Sequence, residues 1–233
     1  MTPYGETFSK HPTGRASDGR LIPDFIGKNN LLVIDLKTQL SYFKNLEKQL
    51  RQKLGASEVK TLFSTAVYMF SIGSHDYSIL FTSNSAMLKS HSREEYVKMV
   101  IGNTTTMIQE IYKIGGRKFG LLNLAAIGCV PALRALKLTT TGGSGCMDEV
   151  TVLAKLHNRK IHKAFEELEG QLKGFKYSIF DSYTATNERL NNPSKYGFKE
   201  VKMACCGSGP YRGYITCGLE DYELCEDVSQ YLL

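Results

Sequence analysis

The middle of the chain alternates short apolar runs with long amphipathic segments, and this alternation restricts the fold more than any other feature. The run Ala66–Ile72 is apolar and partly β-branched or aromatic, as in a buried strand, and Phe119–Ile127 and Lys176–Asp181 are predicted to be the next two strands. The helical segments between them are long enough for crossover connections between parallel strands. The sequence therefore predicts an α/β fold, and we expect a three-layer sandwich.

Three long helices are predicted from periodicity and capping. Apolar residues recur at three- and four-residue steps over Leu36–Leu54, ahead of a glycine. A second helix begins at a capping box of Ser92 and Glu95 and ends at Gly115. A third has its apolar stripe within Val150–Leu172. By contrast, residues 1–30 are predicted to be an extended loop with a short helical turn near residue 24, and the tail from residue 191 to be irregular.

Size and composition indicate one ordinary globular domain over residues 1–233. The chain has 42% apolar residues, which excludes general disorder, and its net charge of +6 is spread without a basic block of the kind that binds nucleic acid. Its longest apolar runs are shorter than the roughly 20 residues of a membrane span. No basic-then-apolar stretch follows Met1, so no signal peptide is expected in the chain as written.

The cysteines predict disulfide bonds and an oxidising compartment. Their number is even, and four of them are clustered near the C-terminus. Free buried thiols and a zinc site are the alternatives. Zinc is disfavoured because two adjacent cysteines do not easily reach one ion. We expect Cys129 to pair with Cys146, and one of Cys205 and Cys206 to pair with Cys217 or Cys225. The six cysteines are Cys129, Cys146, Cys205, Cys206, Cys217 and Cys225.

Ligands of open parallel sheets bind at the carboxyl ends of strands, so the candidate regions are the loop predicted at Gly73–Tyr77 and the segment Ala126–Pro131. His75 and Asp76 in that loop are candidates for a general base, and polar loop residues without a chemical role are the alternative. His157 lies on the apolar stripe of its helix and His162 does not. A metal pair on one helical face is therefore not expected, and His157 is interpreted as a hydrogen-bonded core residue.

The remaining motifs do not indicate a nucleophile elbow or a nucleotide-binding loop. Ser144 and Ser208 both fail the G-x-S-x-G pattern of a nucleophile elbow, and no phosphate-binding glycine loop precedes a helix. Neither a cofactor nor a metal is therefore expected. Asn103 begins an N-glycosylation sequon that lies inside a predicted helix.

Several motifs together resemble those of a known family. The segment Tyr4–Phe8 with His11–Arg20 resembles the N-terminal signature of plant GDSL esterase/lipases, within the SGNH hydrolase superfamily and its pathogen-response lipase-like branch. Ser71–Tyr77 resembles the third block of that family. Gly128–Pro131, Ala204–Gly209 and Cys217-Gly218 resemble later signatures. The resemblance covers essentially the whole chain.

This resemblance implies secreted enzymes with a flavodoxin-like α/β/α sandwich that hydrolyse acyl esters. A serine, together with a C-terminal Asp-x-x-His pair, performs the chemistry in such enzymes. The oxyanion hole uses the serine's backbone, a glycine of the second block and an asparagine of the third. By resemblance His75 occupies that asparagine position, beside Gly73 and Asp76.

The sequence departs from the family pattern in four places. The Gly-Asp-Ser block would precede Tyr4, and the Asp-x-x-His block would follow Leu233, so neither is among these residues. The glycine block expected between Phe25 and Leu36 is missing, and His75 replaces asparagine. The family's central first strand belongs to the missing first block, so we expect an unpaired edge at Ala66–Ile72 that favours self-association.

Two hypotheses follow from these departures. In the first, the chain is part of a secreted ester hydrolase acting on acyl esters or lipids, without activity in these 233 residues. In the second, it is a short non-catalytic protein that uses the lipase fold for binding or interaction. His75 favours some loss of function in both, because truncation does not explain a substitution.

Overall fold

The computed structural model describes residues 35–82, 90–217 and 221–233. The described residues form two compact units. The first unit consists of the described residues between 35 and 127 together with residues 149–186. The second unit consists of residues 128–148 together with the described residues from 187 onward. The expectation of a single domain stays a prediction.

A three-stranded parallel sheet is the centre of the first unit. Its strands are β1 (Val67–Ser71), β2 (Lys118–Leu122) and β3 (Lys176–Phe180), in the order β1-β2-β3. The last residues of β2 and β3, Leu122 and Phe180, lie opposite each other. The predicted α/β fold with a parallel sheet is therefore confirmed.

The predicted long helices are also confirmed. The first ends at Gly55, whose φ of +86° suits glycine, and both halves of the capping box of Ser92 and Glu95 are formed. In chain order the helices are α1 (Leu36–Leu54), α2 (Ala56–Thr65), α3 (Ser74–Thr82), α4 (Arg93–Ile114), α5 (Pro131–Thr141), α6 (Asp148–Gln171) and α7 (Ser182–Asn191).

One face of the sheet is buried under helices. A row of aromatic rings crosses it, in which Tyr68 stacks on Phe119 and Phe119 on Phe175. The apolar stripes of α4 and α6 are buried, whereas α1 buries none of its residues. On the opposite face the exposed large apolar side chains include Val67 (61%), Met69 (56%) and Phe180 (58%). The described residues thus supply the sheet and one helical layer of an α/β/α sandwich.

Two local predictions are wrong. The segment Gly73–Tyr77 is not a loop, because α3 begins at Ser74 and the Tyr77 N–H already donates to the Gly73 carbonyl. The strand predicted over Phe119–Ile127 ends at Leu122. It ends because the next backbone groups have another partner: the Asn158 side chain hydrogen-bonds both the N–H and the carbonyl of Leu124.

The second unit contains α5 and a small antiparallel sheet. Its strands are β4 (Cys206–Ser208), β5 (Ile215–Thr216) and β6 (Glu223–Leu224), in the order β5-β4-β6. The tail from residue 191 is thus largely irregular, as predicted, but contains this sheet. Disulfides join Cys129 to Cys146, Cys205 to Cys225 and Cys206 to Cys217.

Several expectations lie outside the described residues. These are the extended loop over residues 1–30, the helical turn near residue 24, the motif Tyr4–Arg20 and most of the region of the missing glycine block. In the part of the chain that the structure describes, every helix is too short or too polar to cross a bilayer.

Candidate functional site at the carboxyl edge of the sheet

The carboxyl ends of the three parallel strands meet at one edge of the first unit. Gly73, His75 and Asp76 follow β1, Asn123 follows β2, and Asp181 follows β3. Parallel α/β sheets bind ligands at this edge. The edge is therefore the candidate functional site.

Gly73 makes the turn from β1 into α3. It is buried and has a φ of +108°, a conformation that side chains other than glycine rarely adopt. A Cβ at this position would lie 3.2 Å from Leu124 Cδ2 and 3.5 Å from His157 Cε1. Glycine therefore permits both the backbone conformation and the close packing, and it fixes where the following residues begin.

His75 and Asp76 lie in the first turn of α3. The His75 side chain is exposed and Asp76 is half-buried. Burial raises the pKa of the Asp76 carboxyl, although its own backbone N–H and the nearby His75 act in the opposite direction. The Asp76 carbonyl accepts a hydrogen bond from Tyr96 Oη at 2.9 Å. The turn is thus held by α4, while the imidazole is left at the surface.

Directly beneath this turn, Tyr77 and His157 form a buried polar pair. Their Oη and Nδ1 atoms are 2.7 Å apart, and the side chains are 0% and 3% exposed respectively. Burial lowers the pKa of His157 to about 4, so the imidazole is neutral at pH 7. The interpretation of His157 as a hydrogen-bonded core residue is confirmed.

The ends of β2 and β3 are joined by side chains. Asn123 Nδ2 donates to Asp181 Oδ1 at 3.1 Å, and Asn123 Oδ1 accepts from the Tyr183 N–H. Asp181 also accepts from the Thr184 N–H and hydroxyl. Hydrogen bonds from Thr184 are the main reason why the pKa of the Asp181 carboxyl is lowered. Sequence reasoning missed these residues, although a polar residue directly after each strand was a usable signal.

A depression of about 500 Å³ opens beside these strand ends. Its lining comes from α6, from Asn123, from Asp181 after β3, and from the first turn of α7. All of these residues belong to the first unit. The depression is large enough for a small organic molecule.

The candidate nucleophiles and metal ligands are not assembled at this edge. Within the described residues, no group of three or more His, Cys, Asp or Glu side chains could hold a metal ion. Ser90 Oγ lies 2.9 Å from His91 Nδ1, but these are neighbours at the surface just before α4. In the second unit, each of the six candidate cysteines is in a disulfide. Asn103 is exposed in the middle of α4.

The family model for GDSL-like lipase/acylhydrolase matches residues 4–213. The chain belongs to this family. It is 46% identical to GDSL esterase/lipase 2 of Arabidopsis thaliana over 272 residues, covering 99% of this chain and 72% of the relative. GDSL lipase of Tanacetum cinerariifolium is 41% identical over 264 residues, with 98% and 69% covered. The family expectation from the sequence motifs is confirmed.

The alignments also bear on the missing internal block of this GDSL-family chain. The aligned region of the first Arabidopsis relative runs over 272 residues, whereas the chain itself has 233. That relative therefore carries residues inside the aligned region that this chain lacks. Residues missing from inside the aligned region are consistent with the absence of the glycine block that the family pattern places between Phe25 and Leu36.

Proposed function

We propose that this chain recognises acyl esters or lipids, the substrate class of its family, and that its 233 residues do not hydrolyse them. Family membership supports the first part. His75 carries the second part, because by resemblance it stands where the family places an oxyanion-hole asparagine. These 233 residues also contain no Gly-Asp-Ser motif.

His75 disfavours catalysis because of its shape and position. An oxyanion-hole donor works only when its N–H lies within about 3 Å of the developing negative charge. An imidazole is larger than a carboxamide and places its N–H differently, and the His75 side chain is exposed on the first turn of α3. Loss of one such donor typically lowers kcat by about 10²–10³. The substitution therefore weakens catalysis independently of any nucleophile.

Hydrolysis of p-nitrophenyl butyrate by the purified 233-residue chain tests this proposal. We expect the rate to equal that of buffer, both for the wild type and for His75→Asn, because the variant still has no acyl acceptor. Saturable turnover by either protein would overturn the proposal. In any longer product that supplies the serine block, His75→Asn is expected to raise kcat by about 10²–10³.

The alternative function is non-catalytic interaction, and we propose self-association through β1 as its form. Among the described residues β1 pairs with β2 alone, and exposed Val67 and Met69 lie on its uncovered face. A free apolar edge strand is a template for pairing with another chain. Light scattering during gel filtration is expected to show dimers that Val67→Lys dissociates. Val152→Lys, at a 47% exposed position on α6, is the matched control. A monomeric wild type would contradict this alternative.

We further propose that the protein is secreted and carries a glycan at Asn103. Three disulfides favour an oxidising compartment, and the exposed Asn103 side chain leaves room for a glycan. The native protein is expected in the extracellular fluid of the plant tissue that makes it, with a mass that falls on enzymatic deglycosylation. A mass that does not fall on deglycosylation, or one that falls equally in Asn103→Gln, would refute the glycan at Asn103.

A further inference from the structure

The depression beside β2 and β3 carries an excess of positive charge that the proposed function does not use. Lys155, Arg159 and His162 line it from α6. They are spaced by four and three residues, so they lie along one face of the helix. All three side chains are exposed. Among the described residues, none of them takes part in an ion pair.

Asp181 is the carboxylate in the lining, and its oxygens are already engaged. Oδ1 accepts from Asn123 Nδ2 and from the Thr184 N–H, each at 3.1 Å, and Oδ2 accepts from the Thr184 hydroxyl at 2.6 Å. These bonds tie Asp181 to the start of α7 and to the end of β2. Lys155 and Arg159 therefore remain available to an external anion, whereas the nearby His162 already contributes to the lowered pKa of the Asp181 carboxyl.

The remaining wall of the depression suits an organic group. Lys155 Nζ lies 5.5 Å from the centre of the Tyr183 ring, which lines the same space. The volume of about 500 Å³ exceeds what an inorganic anion needs. A ligand with an anionic head and an attached organic body matches both features.

We propose that this depression binds the phosphate group of a phosphate ester, with Arg159 and Lys155 as its principal contacts and His162 beside them. A guanidinium binds two phosphate oxygens at once, and an ammonium adds a point charge. A small carboxylate has fewer acceptor oxygens than a phosphate and so satisfies three basic groups less well. The inference goes beyond the proposed function because it assigns a phosphate site that the recognition of an acyl ester does not require.

Titration calorimetry with sn-glycerol 3-phosphate at low ionic strength tests the site in the 233-residue chain. Lys155→Ala and Arg159→Ala are each expected to weaken binding roughly three- to tenfold, and the double variant to abolish measurable binding. Lys98→Ala is the matched control, since it removes the same charge from an exposed position on α4 outside the depression. It should change the affinity less than about twofold. Circular dichroism confirms that each variant is folded.

A second arm distinguishes the source of the phosphate. Vesicles of phosphatidylcholine with one fifth phosphatidic acid are compared with vesicles of pure phosphatidylcholine in a flotation assay. The ligand is a lipid headgroup if the wild type binds the anionic vesicles, the double variant does not, and neither binds sn-glycerol 3-phosphate. Binding of the soluble ester alone supports a small metabolite.

Three results would overturn the proposal. One is the absence of binding to either probe, and another is an equal loss of affinity in Lys98→Ala, which would indicate general attraction to a basic surface. The third is equal competition by acetate at matched ionic strength, which would make this a carboxylate site. None of these results depends on the esterase assay, so failure here and failure of the proposed function are separable.

Discussion

Acidification is expected to destabilise the first unit through His157. The imidazole is buried against Tyr77, and burial lowers its pKa from 6.5 to about 4. In the unfolded chain the same group has its ordinary pKa, so the unfolded state binds the proton more tightly. Stability from this group is therefore present above pH 6.5 and is lost as the pH falls towards 4.

The size of the effect follows from the two pKa values. Each pH unit between them is worth 1.36 kcal/mol, so the full difference approaches about 3 kcal/mol. Between pH 7 and pH 4.5 the free energy of unfolding should fall by about 2 kcal/mol on account of His157 alone. A loss of this size is a large fraction of the typical stability of a folded protein.

Urea unfolding of the wild type and of variants at pH 7 and at pH 4.5 measures the contribution of His157 to the pH dependence of the free energy of unfolding. His157→Gln cannot take up the proton, so its loss of stability on acidification should be about 2 kcal/mol smaller than that of the wild type. His162→Gln, at an exposed position on the same helix, should behave like the wild type. Equal pH dependence in wild type and His157→Gln would refute the reasoning, as would an imidazole that titrates near pH 6.5 by NMR.

Three further changes have expected outcomes. Asn158→Ala leaves both backbone groups of Leu124 without their partner and should lower the free energy of unfolding by about 2–4 kcal/mol in urea; a loss below 1 kcal/mol would count against that bridge. Replacing Cys129 and Cys146 with serine should cost about 3 kcal/mol, and an unchanged thermal midpoint would contradict this. Gly73→Ala should cost about 1–3 kcal/mol because of its φ of +108°, and calorimetry showing wild-type stability would exclude strain there.

The elements that the sequence predicted well are those with a strong local signal. The helix α6 has an apolar stripe over most of its length, and α4 begins at a capping box, so neither depends on distant residues. The strand β1 is a short, largely apolar segment ahead of a glycine, and β3 alternates exposed with half-buried residues ahead of Asp181. In these elements periodicity and capping agree with the tertiary structure.

The errors arose where a local pattern has two solutions. Ala126 and Ile127 extend the apolar character of β2, but they are buried without belonging to the sheet, because Asn158 binds the backbone of Leu124. Periodicity does not distinguish a buried strand from a buried irregular segment. Similarly, the glycine that ends β1 signals a turn, and the residues after it also suit the first turn of a helix.

The candidate site was only partly predictable for a different reason. His75 and Gly73 were found because they adjoin a recognisable strand and family block. Asn123 and Asp181 are 58 positions apart in the chain, and they meet because the register of β2 with β3 places their strand ends side by side. That register is a property of the folded sheet, so local sequence patterns do not contain it.

Labelling with a fluorophosphonate probe, followed by intact mass analysis, tests the central claim most directly. The purified 233-residue chain should keep its unmodified mass under conditions in which an active serine esterase is fully labelled. An added mass of one phosphonyl group on a single serine would contradict the account, because it would reveal an activated nucleophile in these residues.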